Sequence, residues 1–390
     1  MTSLSCPACG GLHVTEILHV PKVPVHQNVL ADSLAEALAC ARGDIDLRLC
    51  ADCGFVFNAA FDEALMRYAP AYENSQTHSP YFRSYLDALA ARLTRRHHLA
   101  GKTVVEIGCG KGEFLSRLCA AAGCRGLGFD PSYVAERDGV APGVTIVSRR
   151  YEPEAASLVG DLICARHVIE HLARPGELLR AIRGAVGDRP DVGVFFETPR
   201  LEWILEHAAF WDLCYEHSSY FSMPVLGELF RRNGFEVTEH LPAFGDQYQW
   251  LETRPVAPGG APRPPEAGAL AGLAQAVRAF AAACTASREA WRARVSELAR
   301  RGPCAVWGAA AKGVIFLNVL GLDAGTVPLV VDINPRKQGR HVPGTGQRVI
   351  APTALRAHGV RSVLVMNPNY AEEIRGQLQA ENLDPELIVL

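Results

Sequence analysis

The stretch Val104-Val105-Glu106-Ile107-Gly108-Cys109-Gly110-Lys111-Gly112-Glu113-Phe114-Leu115 decides the fold. Apolar β-formers make a buried strand, three glycines make a tight turn, and Glu113-Phe114-Leu115 opens a helix. Gly108, Gly110 and Gly112 let the backbone turn sharply and press against a ligand with no Cβ in the way. Such a turn begins a doubly wound α/β domain, whose ligands bind beyond the carboxyl ends of the strands. The next apolar run, Gly126-Leu127-Gly128-Phe129, ends in Asp130, where a carboxylate can take both hydroxyls of a ribose.

Outward from this turn the pattern repeats. Strands are expected at 104–107, 126–130, 144–147, 162–165 and 192–197, with a helix at about 80–99 and helical patterns between several strands. That alternation predicts a parallel sheet covered on both faces. Polar residues just past a strand sit at the ligand edge, which singles out His167 and His171 after the fourth strand. His171 reads as a base or substrate ligand and His167 as a cofactor contact, unless either caps the local helix. After the fifth strand comes Phe210-Trp211-Asp212-Leu213-Cys214-Tyr215-Glu216-His217. An unperturbed histidine titrates near neutrality, so His217 can accept a proton at working pH. Glu216 and Tyr215 stand ready to orient it or to bind substrate hydroxyls.

Residues 254–268 are dense in proline, glycine and alanine and read as a linker, followed by an alanine-rich helix between 266 and 301. A second strand-to-glycine turn, Ala305-Val306-Trp307-Gly308-Ala309-Ala310-Ala311-Lys312-Gly313, begins a smaller α/β unit with strands at 329–332 and 362–366. Lys312 at a helix start suits an anion or a diphosphate, unless the turn is scaffold only. Arg336 and Lys337 at the next strand end add two cations.

At the other end, Cys6-Pro7-Ala8-Cys9-Gly10 and Cys50-Ala51-Asp52-Cys53-Gly54 duplicate one pattern. A two-residue gap lets both thiolates of a knuckle face one ion. Two knuckles complete a closed, structural Zn²⁺ site at Cys6, Cys9, Cys50 and Cys53. So small a module has little core, and metal would supply much of its stability.

The remaining numbers mainly exclude. With 390 residues, two or three domains are the prior. The boundaries expected are a zinc module at 1–65, the main α/β domain at 66–254, linker and helix at 255–301, and the second α/β unit at 302–390. A net charge of −3 gives no bulk attraction to nucleic acid or membrane. No run of eighteen apolar residues and no basic-apolar leader occur, so neither a membrane span nor a signal peptide is expected. Twelve cysteines in that setting point to a reducing cytoplasm.

The spacing E-x-G-x-G-x-G from Glu106 to Gly112 resembles motif I of class I S-adenosylmethionine (SAM) methyltransferases more closely than the G-x-G-x-x-G of dinucleotide-binding turns. Taken with the cysteine knuckles, Tyr72 and Ser75, Glu216-His217-Ser218, Gly308 to Gly313, and Asp332-x-Asn334-Pro335-x-Lys337-Gln338-Gly339-Arg340, the chain resembles the sugar C-methyltransferase family over nearly its whole length. Those enzymes methylate nucleotide-linked 4-keto-6-deoxy sugars in bacterial secondary metabolism. The resemblance implies a class I SAM-methyltransferase sheet between an N-terminal zinc module and a C-terminal Rossmann-like domain. It implies SAM contacts at Tyr72, Ser75, Glu106, Gly108, Gly110, Gly112, Asp130, Pro131 and His167. It implies catalytic roles for His217, Glu216, Tyr215 and His171, and substrate contacts at Gln247, Tyr248, Lys312, Asn334 and Lys337. A base would remove the proton beside the ketone, and the enolate would attack the methyl of SAM. Where the family has a tyrosine this chain has Cys214, so Tyr215 is expected to stand in for it. The alternatives are an oxygen or nitrogen acceptor, or a SAM-binding protein without catalysis.

Overall fold

The computed structural model describes residues 4–66, 72–135, 139–152, 160–256 and 267–390. The N-terminal module holds β1 (Val14–Pro24), the short helix α1 (Leu34–Leu38), β2 (Arg42–Cys50) and β3 (Val56–Asn58). Gly10 and Gly54, both with positive φ, close the two knuckles by donating to the carbonyls of Cys6 and Cys50 at 2.8 Å.

The helix expected at 80–99 is α2 (Pro80–His97). Ser79 caps it by accepting from Phe82 N, Pro80 occupies its first turn, and Arg95, Arg96 and His97 meet the negative end of its dipole. The main sheet follows as β4 (Thr103–Ile107), α3 (Glu113–Ala122), β5 (Arg125–Phe129), β6 (Val144–Val147), β7 (Leu162–Arg166), α4 (Pro175–Val186) and β8 (Gly193–Pro199). After α5 (Leu201–Glu206) and the two-residue β9 (Ser219–Tyr220) come α6 (Met223–Arg232), β10 (Phe235–Ala243) and β11 (Tyr248–Pro255). The strand order is β10-β11-β8-β7-β4-β5-β6. Only β11 runs antiparallel to its neighbours. The chain moves outward from β4 through β5 and β6, then returns to β7 on the other side of β4. That reversal is the switch point where such sheets bind ligands.

The last part comprises α7 (Ala267–Arg301), β12 (Cys304–Trp307), α8 (Ala311–Leu320), β13 (Leu329–Val331), β14 (Arg348–Ile350), β15 (Ser362–Val365), α9 (Ala371–Ala380) and β16 (Glu386–Val389). Its sheet is wholly parallel, in the order β14-β13-β12-β15-β16. Much of the expected linker, 257–266, falls outside the described residues. Residues 270–301 form a helix long and apolar enough to cross a membrane, contrary to the expectation from sequence. Val277, Phe280, Cys284, Val295 and Leu298 of this helix are buried in the protein.

A boundary at residue 65 divides what the fold joins. β9, from the middle of the chain, pairs antiparallel with β3, Val56 opposite Tyr220 and Phe57 opposite Ser219. One hydrophobic cluster joins Ile45 and Leu47 of the N-terminal sheet to Phe210 and Trp211 and to Phe316 and Leu317 of α8. Each such side chain contributes about 1.5–3 kcal/mol on full burial. The three parts share apolar core, which fixes the cavities between them.

Candidate functional site

Two cavities meet at the switch point. The larger, about 590 Å³, lies over the glycine turn. Glu106, Gly108, Gly110, Asp130, Pro131, His167, Tyr72 and Ser75 line it, so eight of the nine expected cofactor residues converge. Gly112 supports the turn from behind. Its φ is 73° and a Cβ there would meet Ile146 at 2.5 Å. At Gly108, with φ of 67°, a Cβ would stand 2.3 Å from Val168 Cγ2. Both positions therefore require glycine. Asp130 accepts from Gly110 N at 2.8 Å and from the backbone and hydroxyl of Ser132 at 2.8 and 2.6 Å, which orients it toward the cavity mouth. Burial raises the Glu106 carboxyl to about 8. These features fit an adenosyl sulfonium ligand: a cavity of mixed apolar and polar walls, close backbone and the Asp130 carboxylate.

The smaller cavity, about 310 Å³, opens between the main domain and the C-terminal sheet. Gln247, Tyr248, Lys312, Asn334 and Lys337, the five residues expected to meet substrate, all line it. So do residues at the carboxyl ends of β12, β13 and β15: Trp307, Asp332 and Met366. Lys312 is not an open cation, because its Nζ bridges to Asp212 at 2.5 and 2.6 Å and lies over the Trp203 ring at 4.8 Å. Lys337 faces Asp332 at 3.6 Å, and Asn334 donates to Glu73 at 3.1 Å. Gln247 donates to Asn367 at 2.8 Å.

The two cavities share the wall built by Tyr72, Asn74, Ser75, Gln76, His167 and His171. On the small-cavity side stand His217, Glu216 and Cys214. The rings of His171 and His217 meet edge-on with centroids 5.0 Å apart. His171 Nδ1 lies 2.9 Å from the carbonyl of Glu216, which only accepts. The neutral ring therefore carries its proton on Nδ1. Burial pushes His217 down to about 3, helped by nearby His171, so this imidazole is neutral at physiological pH. The Glu170 carboxylate, within 4.8 Å of both histidines, favours a proton on that ring.

Glu216 does not point a vacant carboxylate at substrate. Its Oε1 accepts from Gln27 N at 2.6 Å and its Oε2 from the Tyr72 hydroxyl at 2.5 Å. Its side chain organises the wall. Tyr215 corrects the sequence expectation more sharply. It lines neither cavity; its hydroxyl accepts from Asp62 N at 2.8 Å and its ring packs on Phe61. Successive side chains in this turn face opposite ways, so Cys214 faces the cavity and Tyr215 the N-terminal module. Tyr215 cannot replace the missing tyrosine.

His167 is held between two carboxylates rather than presented openly. Nδ1 hydrogen-bonds Glu170 at 3.1 Å, and Nε2 lies 3.1 Å from Glu197 without hydrogen-bond geometry. Burial opposes a charged ring there, but these carboxylates outweigh it and raise His167 to about 9. Its positive φ of 53° is uncommon for a non-glycine residue. Sequence reading missed Glu170, Glu197 and Arg166, which tie this buried network together. It also missed Asn28 and Gln76. Asn367 and Tyr370, in a segment that the sequence places where substrate should sit, follow β15 and line this cavity. Asn28 carried no such signal.

The four knuckle thiols cluster as expected. Cys6 and Cys53 sulfurs lie 3.7 Å apart, as do those of Cys9 and Cys50, and all four fall within 4.8 Å of one another. Tetrahedral Zn–S bonds of about 2.3 Å place sulfurs about 3.8 Å apart, so the set fits a tetrahedral ion.

Two family models match separate parts of the chain. Residues 74–240 match the family model described as a methyltransferase domain, and residues 266–388 that of a C-methyltransferase C-terminal domain. The C-methyltransferase NovU of Streptomyces niveus is 29% identical over 295 residues, 70% of this chain and 68% of that protein. A ubiquinone biosynthesis O-methyltransferase of Paraburkholderia xenovorans is 34% identical, but over only 31% of this chain and 51% of its own length. Human N-acetylserotonin methyltransferase in complex with SAM aligns at 16% identity and a TM-score of 0.37, covering 47% of this chain and 53% of that one.

Proposed function

We propose that this chain, whose residues match models of a methyltransferase domain and of a C-methyltransferase C-terminal domain, methylates a carbon beside the ketone of a nucleotide-linked keto-deoxy sugar. The observation that carries the reading is the shared wall. The cofactor cavity and the acceptor cavity meet at Tyr72, His167 and His171, with a neutral, buried imidazole at the junction. When bound, SAM supplies an electrophilic methyl group and needs no metal to activate it.

The residues supply what carbon acceptors need. A C–H bond beside a ketone gives a nucleophile only after it loses a proton. His217 accepts that proton as a general base, although burial lowers it to about 3 from the near-neutral value expected from sequence, a cost that the Glu170 carboxylate must offset. Glu170 favours the imidazolium so formed, while His171 beside it steadies the sugar. Burial of this turn keeps water from competing, which strengthens each electrostatic interaction. The nucleotide part lies along the carboxyl edge of the C-terminal sheet, near Asn334 and Lys337, where α/β sheets bind ligands. With Lys312 matched by Asp212, recognition there uses amides and aromatic faces as well as charge. The knuckle cysteines hold Zn²⁺, which is structural because all four positions are filled by thiolates.

The test is product analysis. The protein, SAM and a panel of nucleotide-linked 4-keto-6-deoxy sugars are incubated, and NMR locates the methyl. A new C–CH₃ resonance supports the proposal. A methyl on oxygen or nitrogen refutes it and moves the acceptor to the class that the O-methyltransferase relatives' names describe.

A further inference from the structure

On the acceptor side, the N-terminal module reaches the methyl-transfer site through the loop Val25-His26-Gln27-Asn28, which follows the end of β1. Two of its residues touch the shared wall. Gln27 N donates to Glu216 Oε1 at 2.6 Å. Asn28 Nδ2 donates to the Tyr72 hydroxyl oxygen at 3.2 Å, and that hydroxyl donates to Glu216 Oε2 at 2.5 Å. The carbonyl of Asn28 also accepts from Glu73 N at 2.9 Å, so one residue holds the 72–73 segment by backbone and side chain together. Glu73 in turn takes Lys111 of the glycine turn at 2.5 Å and Asn334 of the C-terminal domain at 3.1 Å. At the far end of the chain of bonds, the Glu216 carbonyl fixes His171 Nδ1 at 2.9 Å.

We propose that Asn28 is a positioning residue for methyl transfer, holding the Tyr72 phenol against Glu216 so that the His171–His217 pair keeps its geometry. It lines the acceptor cavity and not the cofactor cavity. Its own side chain faces the acceptor side, and it reaches the cofactor cavity only through Tyr72, which lines both. The zinc module is on this account part of the active site, and the knuckles secure the sheet from which the loop extends. The inference rests on the reading of His217 as the base.

The test is a double-mutant cycle in the full chain. Asn28→Ala removes a neutral hydrogen bond, which predicts a fall in kcat of about two- to tenfold. Tyr72→Phe removes the group through which Asn28 acts. The double variant is therefore expected to be no slower than Tyr72→Phe alone. A structural role would multiply the two losses, and that outcome overturns the inference. A second readout needs no acceptor. In protein labelled with ¹⁵N-histidine and loaded with SAM, with resonances assigned using a His171→Gln variant, the imidazole shifts report the His171 tautomer. Asn28→Ala is expected to shift it from pure Nδ1–H toward a mixture, and an unchanged tautomer overturns the inference. If wild-type protein methylates no keto sugar, the proposed function fails while the imidazole shifts still decide the role of Asn28.

Discussion

Replacing Gly108 by alanine tests the cofactor turn, and its cost can be worked from two observations. The residue sits at φ of 67°, where an L side chain costs about 1–2 kcal/mol. The added Cβ would also stand 2.3 Å from Val168 Cγ2, far inside contact distance, and forced overpacking costs about 1–3 kcal/mol. The sum is about 2–5 kcal/mol, shared between folding stability and SAM affinity according to how far the turn gives way into the cavity. Since about 1.4 kcal/mol is a factor of ten, SAM affinity is expected to fall about five- to seventyfold if half of the cost appears in binding. Calorimetric titration with SAM and the urea midpoint measure the two shares. Val168→Ala removes the clashing carbon and leaves only the backbone cost, so Gly108→Ala/Val168→Ala is expected to recover part of the loss. Unchanged SAM affinity and urea midpoint in Gly108→Ala would refute the reasoning. So would a double variant that recovers nothing.

Further predictions concern metal, pH and the acceptor. Cys53→Ser is expected to bind less zinc than wild type and to lose most methyl transfer, because β3, just beyond that knuckle, carries β9 next to the proposed catalytic turn; metal content by mass spectrometry and turnover measure both, and full activity without metal contradicts it. Burial holds His217 neutral down to about 3, so the unfolded chain binds this proton first as pH falls below about 6.5 and stability drops from there toward 3. His217→Gln should flatten that part of the urea-midpoint profile. His167 works in the other direction: raised to about 9 against burial by Glu170 and Glu197, its contribution is complete below about 6.5 and fades as pH rises through 9. A His167→Gln variant that keeps the alkaline loss counts against this. Lys312→Met is expected to raise the acceptor KM while leaving SAM affinity unchanged, since Lys312 lines only the acceptor cavity.

The sheet was legible wherever one residue period or one turn carried the information. Gly108, Gly110 and Gly112 announced the crossover, and the five expected strands lie within a few residues of β4 to β8. The cysteine spacing gave the thiol cluster because a knuckle is a local object. What the sequence hid is what only tertiary structure creates. β9 has two residues and no period, so its pairing with β3 could not be read from 219–220. Tyr215 looked like a catalytic phenol because adjacent residues in sequence were taken as neighbours in space, and the turn sends it to Asp62 instead. Asn28 meets Tyr72, and Tyr72 meets Glu216, across long stretches of chain, a juxtaposition no local pattern encodes. Lys312 was correctly placed at the cavity, but the carboxylate of Asp212 that neutralises it lies 100 positions away.

The central claim is that His217 makes a carbanion next to a ketone. Its most direct test is mass spectrometry of nucleotide-linked 4-keto-6-deoxy sugars kept in D₂O with the protein and S-adenosylhomocysteine, beside a His217→Ala control. The account predicts deuterium entering the carbon next to the ketone with wild type and background exchange with the control. Equal exchange in both would contradict the assignment of the base, and methyl transfer from SAM with no exchange at carbon would contradict the carbon acceptor itself.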